Sequence, residues 1–275
     1  MKLAVIGYPI RHSKSPYMHN IWLEALNIEG QYEAIEVSPE QLEHQVKVLK
    51  EEEYSGFNVT IPHKESIIQY LDEVDHSAEV LGAVNTVVIK NGKCTGYNTD
   101  GQGFLQSLSA VRTEVDIKQA QILLLGAGGA AKGIAGALAS FGVRKISIAN
   151  RTPSKAEALV KAQKVPGEGL DLQTAQERLN EFDIVINTTS SGMYPNVDAA
   201  PVDSSFMKKG ALAADIIYNP LRTQFLKQAE SAEADTLNGI GMFVWQGALA
   251  FEKWTLQQPD TADMINKMTA LMKQE

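Results

Sequence analysis

Short apolar runs recur along the chain, each closed by glycine, proline or a polar cluster. Leu3–Ile6, Tyr32–Val37, Gly56–Thr60 and Thr86–Lys90 are predicted strands, with helical spacing over about 16–27, 39–52, 63–71 and 101–110. Strands separated by helices imply parallel βαβ units and an α/β sheet. Asn91-Gly92, between Val87-Val88-Ile89-Lys90 and Lys93-Cys94-Thr95-Gly96-Tyr97, predicts a two-residue hairpin that adds an antiparallel edge to this sheet. A polar stretch over 112–119 then precedes a second series of strands, at Gln121–Leu125, Lys145–Ala149, Asp183–Asn187 and Ala211–Ile217. The pattern turns helical again from Gly241, through Met242, Val244, Trp245, Leu249, Phe251 and Trp254, and a last amphipathic helix covers about 260–273. The chain therefore reads as two α/β domains that meet at about 101–118.

The second series opens on the most specific signal. The apolar run Gln121–Leu125 leads into Gly126-Ala127-Gly128-Gly129-Ala130-Ala131, a small-residue helix to Gly142, and the strand ending at Asn150-Arg151. A GxGxxA turn between strand and helix is the dinucleotide-binding context. Gly126 and Gly128 permit the tight turn and a close approach to a pyrophosphate. Ala131 and Gly136 let the helix lie close on the sheet, and its free N–H groups suit the anion. The end of the next strand distinguishes the nucleotides. NAD sites place Asp or Glu there to hold the ribose hydroxyls. This chain has Asn150-Arg151-Thr152, with Lys155 one turn into the following helix. A guanidinium pairs with the extra phosphate of NADP, which a carboxylate would repel, so NADP is the expected cofactor.

Composition narrows the field. A formal charge of −8 with no basic block argues against a nucleic-acid surface. The lone cysteine, Cys94, rules out an intramolecular disulfide and a cysteine cluster, and the five histidines form no HxH or HExxH spacing, so no metal is expected. The amino terminus is apolar only briefly before Gly7-Tyr8-Pro9, which reads as a first strand rather than a signal peptide or membrane span. A cytoplasmic protein is expected.

Polar clusters follow several strands, where open α/β sheets bind ligands. Ser13 and Ser15 stand two apart before Pro16, although Ser15 also suits a simple helix cap with Pro16 in the first helical position. Asn58 and Thr60 share one face of an extended segment, and Lys64 is expected in the first turn of the next helix, where the dipole and burial lower an ammonium's pKa. Asn85 ends Gly82-Ala83-Val84, and Asp100 precedes a helix that it would suit as a cap. Asn187-Thr188-Thr189-Ser190-Ser191-Gly192-Met193 and Asp215-Ile216-Ile217-Tyr218-Asn219-Pro220 are further candidates for lining the cofactor.

Together these segments closely resemble the shikimate dehydrogenase family of the aromatic amino-acid pathway. The resemblance rests on Gly7-x-Pro9-Ile10-x-His12-Ser13-x-Ser15-Pro16-x-x-His19-Asn20, Asn58-Val59-Thr60-Ile61-Pro62-His63-Lys64, Gly82-Ala83-Val84-Asn85-Thr86 and Gly96-Tyr97-Asn98-Thr99-Asp100-Gly101. It continues through Gly126-Ala127-Gly128-Gly129-Ala130, Asn150-Arg151-Thr152, Asp215-x-x-Tyr218-x-Pro220 and Gly239-x-Gly241-Met242-x-x-x-Gln246-Gly247, in family order to about residue 254.

The resemblance implies NADPH-dependent, reversible reduction of 3-dehydroshikimate to shikimate. It makes Lys64 the proton donor and acceptor and Asp100 its partner. Ser13, Ser15, Asn58, Thr60, Asn85, Tyr218 and Gln246, with Lys64 and Asp100, become the substrate-binding set. Gly126, Ala127, Gly128, Gly129, Ala130, Asn150, Arg151, Thr152, Lys155, Thr188, Ile216 and Gly239 are expected to hold NADP. The implied fold pairs an N-terminal α/β substrate domain, 1–101 plus 242–275 with a mostly parallel sheet, and a Rossmann-type NADP-binding domain, 102–241. The expected partner is the small-molecule substrate, without nucleic acid or membrane, and the oligomeric state is left between monomer and homodimer. Two rivals remain: a quinate/shikimate dehydrogenase that prefers NAD, and a non-catalytic NADP-binding sensor.

Overall fold

The first of two sheets in the computed structural model, which describes residues 1–274, is built from β1 (Lys2–Gly7), β2 (Gln31–Glu36), β3 (Gly56–Val59), β4 (Glu73–Val74), β5 (Thr86–Lys90) and β6 (Lys93–Tyr97). Its order is β2-β1-β3-β5-β6-β4. β1 pairs in parallel with β2 and β3, and β4 in parallel with β6, whereas β5 runs antiparallel to β3 and β6. The β5–β6 turn is Asn91-Gly92 with φ of 52° and 73°, so both turn residues take the left-handed conformation that a tight hairpin with natural strand twist demands. The hairpin is not the edge that the sequence suggested. The two-residue strand β4 lies outside it, too short to leave a hydrophobic run in the pattern.

Among the helices of the first half, α1 (Ser15–Ala25), α2 (Leu42–Glu51) and α3 (His76–Glu79) follow the chain between these strands. One sheet face packs Ala4, Ile6, Phe57, Val59 and Val87 against Leu42, Val46 and Leu49 of α2. Leu3 and Val5, of the opposite parity, are buried as well, which explains why β1 reads as a continuous apolar run rather than an alternation.

The second half adds α4 (Asp100–Ser109), α5 (Glu114–Gln119), β7 (Gln121–Leu125), α6 (Gly129–Phe141), β8 (Lys145–Ala149), α7 (Pro153–Gln163) and β9 (Gly169–Leu170). It continues through α8 (Leu172–Glu177), β10 (Ile184–Asn187), β11 (Leu212–Asp215), α9 (Gln224–Ser231), β12 (Asp235–Leu237), α10 (Ile240–Thr255) and α11 (Thr261–Met272). Every pairing in the second sheet is parallel, in the order β12-β11-β10-β7-β8-β9. Counted from β7, this is the doubly wound 3-2-1-4-5-6 arrangement, whose order reverses between β7 and β10. Alternate residues feed two cores. Ile122, Leu124, Ile146, Ile148 and Ile186 face Ile134, Ala135 and Leu138 of α6, while Leu123, Leu125, Val185 and Ala213 face Phe182 and Phe225. A stop at Gly142, φ 89°, ends α6.

Contacts divide the chain into two compact units, Met1–Thr99 with Gln246–Met264, and Asp100–Trp245 with the chain from Ile265. The return of Gln246–Met264 to the first unit is anchored by Trp254, whose Nε1 donates to the Val87 carbonyl at 2.9 Å. A Cβ at position 56 would collide with both the Trp254 indole and that carbonyl, so glycine is needed there for close approach. Trp22 adds a bond from Nε1 to the Asp260 carbonyl, 3.3 Å.

Candidate functional site

In the first unit, a connected set of hydroxyls and amides runs beneath the ends of the central strands. Ser15 begins it. Despite its position beside Pro16 it is no helix cap: Lys14 takes the cap position without a side-chain capping bond, and the buried Ser15 hydroxyl bonds the Tyr32 phenol instead. Tyr32 donates to Asn58 Oδ1 at 2.7 Å, and burial raises its pKa well above the ordinary value. Asn58 Nδ2 donates to the Asn85 carbonyl (3.0 Å) and to Thr86 Oγ1 (3.1 Å), which commits both of its amide hydrogens inside the protein. Asn85 in turn donates to Thr99 Oγ1 (2.9 Å) and accepts from the Thr99 N–H (2.9 Å). Thr99 Oγ1 reaches the Gln246 carbonyl at 3.0 Å. Ser15, Asn58, Asn85, Thr86 and Thr99 are all buried. Burial of this many polar groups is tolerated because each finds a partner.

The structure brings the candidates Ser15, Asn58 and Asn85 into one network with the backbone carbonyl of Gln246, and Ser13 joins it by accepting from the Ser15 N–H at 3.3 Å. Thr60 directly follows β3, beside Gly7, whose added Cβ would strike its methyl group. Tyr32 and Thr99 complete the connection, and neither stood among the residues expected to bind a ligand. Tyr32 looks like any aromatic on an alternating strand, so no sequence signal marked it.

Lys64 lies elsewhere than expected. It is half-buried in a turn, and a 3₁₀ segment over Ser66–Tyr70 replaces the predicted helix start. The Lys64 carbonyl accepts from the Val84 N–H at 2.7 Å and is thereby diverted from the bond to Ile68 that an α-helix would need. Ile68 bonds Glu65 instead. The adjacent His63 is fully buried and fixes the turn through Nε2 and the Val37 carbonyl, 2.7 Å apart.

The second unit carries Asp100 as the buried first residue of α4. A Cβ at Gly101 would run into the Gly133 carbonyl of α6, so glycine lets the two helices meet closely and sets where Asp100 stands.

At the reversal point of the second sheet lies the glycine turn. Gly126 has φ 110°, and an added Cβ would come within 2.7 Å of Thr188 Oγ1, so both conformation and space require glycine. Thr188 closes the switch point by giving its N–H (2.9 Å) and hydroxyl (2.7 Å) to the Leu125 carbonyl. Cβ atoms at Gly128 and Gly129 would meet nothing within 4 Å, and Gly128 caps α6 without a side-chain bond. Open space in front of uncapped N–H groups fits a pyrophosphate. Asn150, Arg151 and Gly126 share the wall of a hollow of about 770 Å³ with Thr189, Ser190 and Ser191. Arg151, Thr152 and Lys155 are exposed and the first turn of α7 carries no acid, so this corner of the hollow is cationic, while Asp198 lines another part of it. These residues fit a 2′-phosphorylated dinucleotide. A second hollow of about 880 Å³, lined by Arg112, Lys208, Asp183 and Asp235, lies at the opposite, amino-terminal ends of the strands. Its cations are consumed in Arg112–Asp235, Lys208–Asp183 and Lys209–Glu233 pairs, and nothing there calls for a ligand.

Ile216, Tyr218 and Gly239 cluster on the same unit. Gly239 donates to the Ile217 carbonyl (2.9 Å), and its bare Cα packs on the Ile216 carbonyl, where any Cβ would clash. The Tyr218 ring lies 4.8 Å from Phe243. Among the described residues, no group of three or more His, Cys, Asp or Glu is placed to hold a metal, and no helix is long and apolar enough to cross a membrane.

Comparison with known proteins adds to this geometry. Residues 5–87 match the family model of the shikimate dehydrogenase substrate binding domain, 108–217 that of shikimate / quinate 5-dehydrogenase, and 239–269 that of the shikimate 5′-dehydrogenase C-terminal domain. The chain is 49% identical to the shikimate dehydrogenase (NADP(+)) of Geobacillus sp. (strain WCH70), over 95% of each chain. Shikimate 5-dehydrogenase from Thermus thermophilus, solved in complex with NADP(H) and shikimate, is 35% identical with a TM-score of 0.89, over 98% of this chain and 99% of its own. Quinate dehydrogenase from Corynebacterium glutamicum, solved with NAD, is 30% identical with a TM-score of 0.89 and the same coverage.

Proposed function

The chain belongs to the shikimate dehydrogenase family, and on that basis we propose that it catalyses the NADPH-dependent, reversible reduction of 3-dehydroshikimate to shikimate. The observation that carries the substrate class is the buried network from Ser15 to Gln246. A polyhydroxylated acid needs many neutral donors and acceptors, and the network holds its hydroxyls and amides in fixed orientations, so little ordering entropy is left to lose on binding.

Ser13, Ser15, Thr60, Asn85, Tyr218 and Gln246 hold the substrate in this reading, and Asn58, with its amide hydrogens committed, steadies Asn85. Lys64 gives a proton to the substrate's carbonyl oxygen in reduction and takes it back in oxidation, which keeps negative charge from accumulating there. Asp100 supports that exchange. Gly126–Ala130 and the α6 N-terminus hold the pyrophosphate, with Thr188, Ile216 and Gly239 alongside, and Asn150, Arg151, Thr152 and Lys155 hold the extra phosphate. Bound NADPH supplies the hydride.

The same proposal assigns 1–101 plus 242–275 to the substrate and 102–241 to the nucleotide. Support comes from the contact division, which cuts nearby at 99/100 and 245/246 but, unlike this assignment, groups the chain from Ile265 with the nucleotide unit. It places the enzyme in the cytoplasm with no nucleic-acid or membrane partner, as a monomer or homodimer.

Initial rates at the nicotinamide absorbance band, with shikimate or quinate and with NADP or NAD, test the reading. Faster turnover of shikimate with NADP is expected. Preference for NAD and quinate would instead put the chain with its Corynebacterium neighbour, and NADP binding without turnover of either acid would make it a sensor.

A further inference from the structure

A buried carboxylate lies beneath the nucleotide-binding edge of the second sheet, without a role in the reaction just described. Asp215 is the last residue of β11 and is 1% exposed. Three donors converge on it: Asn187 Nδ2 at 3.2 Å from both oxygens, the Ile217 N–H at 3.0 Å and Thr223 Oγ1 at 2.7 Å. Each comes from a different stretch of chain. Asn187 ends the neighbouring strand β10 and stands in register with Asp215. Its Nδ2 also reaches the Ser191 carbonyl (3.2 Å), and its Oδ1 accepts from the Thr189 N–H (3.0 Å) and hydroxyl (2.7 Å). Thr223 caps α9 by accepting from the Leu226 N–H at 3.3 Å.

Given the reaction proposed above, we propose that Asp215 is a positioning residue: a buried anionic clip that fixes Ile216–Tyr218 and the 188–191 loop in the shape that receives nucleotide and substrate acid. Only an acceptor-only group satisfies three converging donors, and an ionised carboxylate is the side chain that has that property. Burial pushes its pKa up to about 6, against the pull of the same hydrogen bonds. The clip acts from one side of the segment. From the β10 side the Ile216 N–H also bonds the Asn187 carbonyl at 3.1 Å, and from the β12 side Gly239 presses on the Ile216 carbonyl. Backbone held from both sides cannot drift without breaking buried bonds, so Tyr218 and Ile216 keep one presentation.

The test uses the full chain. Thr223→Val removes one bond to the carboxylate and the α9 cap; Thr223→Ser keeps both. Asn187→Ala removes a different bond to the same group and is read alongside. Dissociation constants for NADP are measured by fluorescence titration, kcat and KM for shikimate by initial rates, and folding by thermal melting. Thr223→Val and Asn187→Ala should raise the NADP dissociation constant and the shikimate KM by about 5- to 150-fold, the usual span of coupling between a remote contact and a binding site. Their kcat should stay near wild type, because proton transfer at Lys64 is untouched, and Thr223→Ser should restore wild-type binding. Folded variants with wild-type NADP affinity and KM would overturn the proposal, as would a Ser variant as weak as the Val variant. A wild-type protein that binds NADP but leaves shikimate unchanged would sink the reaction assigned above, and the NADP arm would still decide the role of Asp215.

Discussion

His19 is buried without exposure, and neither of its ring nitrogens has a hydrogen-bond partner in the protein. It sits in an aromatic box, stacked 4.2 Å from Tyr32 at an interplanar angle of 7° and edge-on to Trp22, with Phe251 and Trp254 nearby. Such a site accepts only the neutral ring, and burial lowers its pKa from 6.5 to about 3. The sign follows directly: between these values the unfolded chain binds the proton and the folded one does not, so stability falls as pH drops from about 6.5 to about 3. Three and a half pKa units correspond to about 5 kcal/mol lost at the acid end, and about 2 kcal/mol should already be gone at pH 5. His19→Phe keeps the stack and removes the titration. Urea unfolding of both proteins, followed by the fluorescence of the three tryptophans, should give curves that separate progressively from pH 7 to pH 5, with the variant losing less. A constant packing penalty for the larger ring cancels in this comparison of slopes. Wild type and variant running parallel across the range would show that His19 finds a proton partner in solution, and the reasoning would fail. Acid should reach the site as well, since the stacked Tyr32 holds Asn58.

Three further outcomes follow from named contacts. Lys64→Ala should lower kcat by about 100- to 10,000-fold with little change in shikimate KM, and Asp100→Asn should lose activity by a route that is far from additive with it; a raised KM with turnover spared would reduce Lys64 to an anchor. Arg151→Ala should weaken NADP by about ten- to a hundredfold in titrations and leave NAD nearly unchanged, because only NADP brings the extra phosphate; equal losses would mean a structural role. Gly56→Ala should lower the melting temperature of the protein by several degrees, since its Cβ meets the Trp254 indole and the Val87 carbonyl; an unchanged melt would show that Trp254 moves aside at no cost.

The doubly wound sheet was legible because each of its features has a local cause. Gln121–Leu125 is apolar on both faces, Gly126 needs a positive φ, and Asn150-Arg151 replaces the acid of an NAD site, all within one short stretch of sequence. Asn91-Gly92 was readable for the same reason, since its turn conformation is a property of two residues. Where elements depended on distant partners, the reading slipped. Residues 63–71 carry helical spacing, yet Val84 takes the Lys64 carbonyl and only a 3₁₀ turn remains. β4 is two residues long and exists because β6 offers it an edge.

The candidate site divides along the same line. Residue types at strand ends offered Ser15, Asn58, Asn85, Lys64, Asp100 and Arg151 as candidates, and the family resemblance assigned them roles. The sequence could not show that Ser15 turns away from the helix it begins to meet Tyr32, nor that Asn58 is used up inside the protein. Nor could it bring Asn187, Asp215 and Thr223 together. Those are pairings across strands and loops, where a donor far along the chain competes with every local partner. Only the packed sheet, by excluding water and fixing register, decides which of them wins.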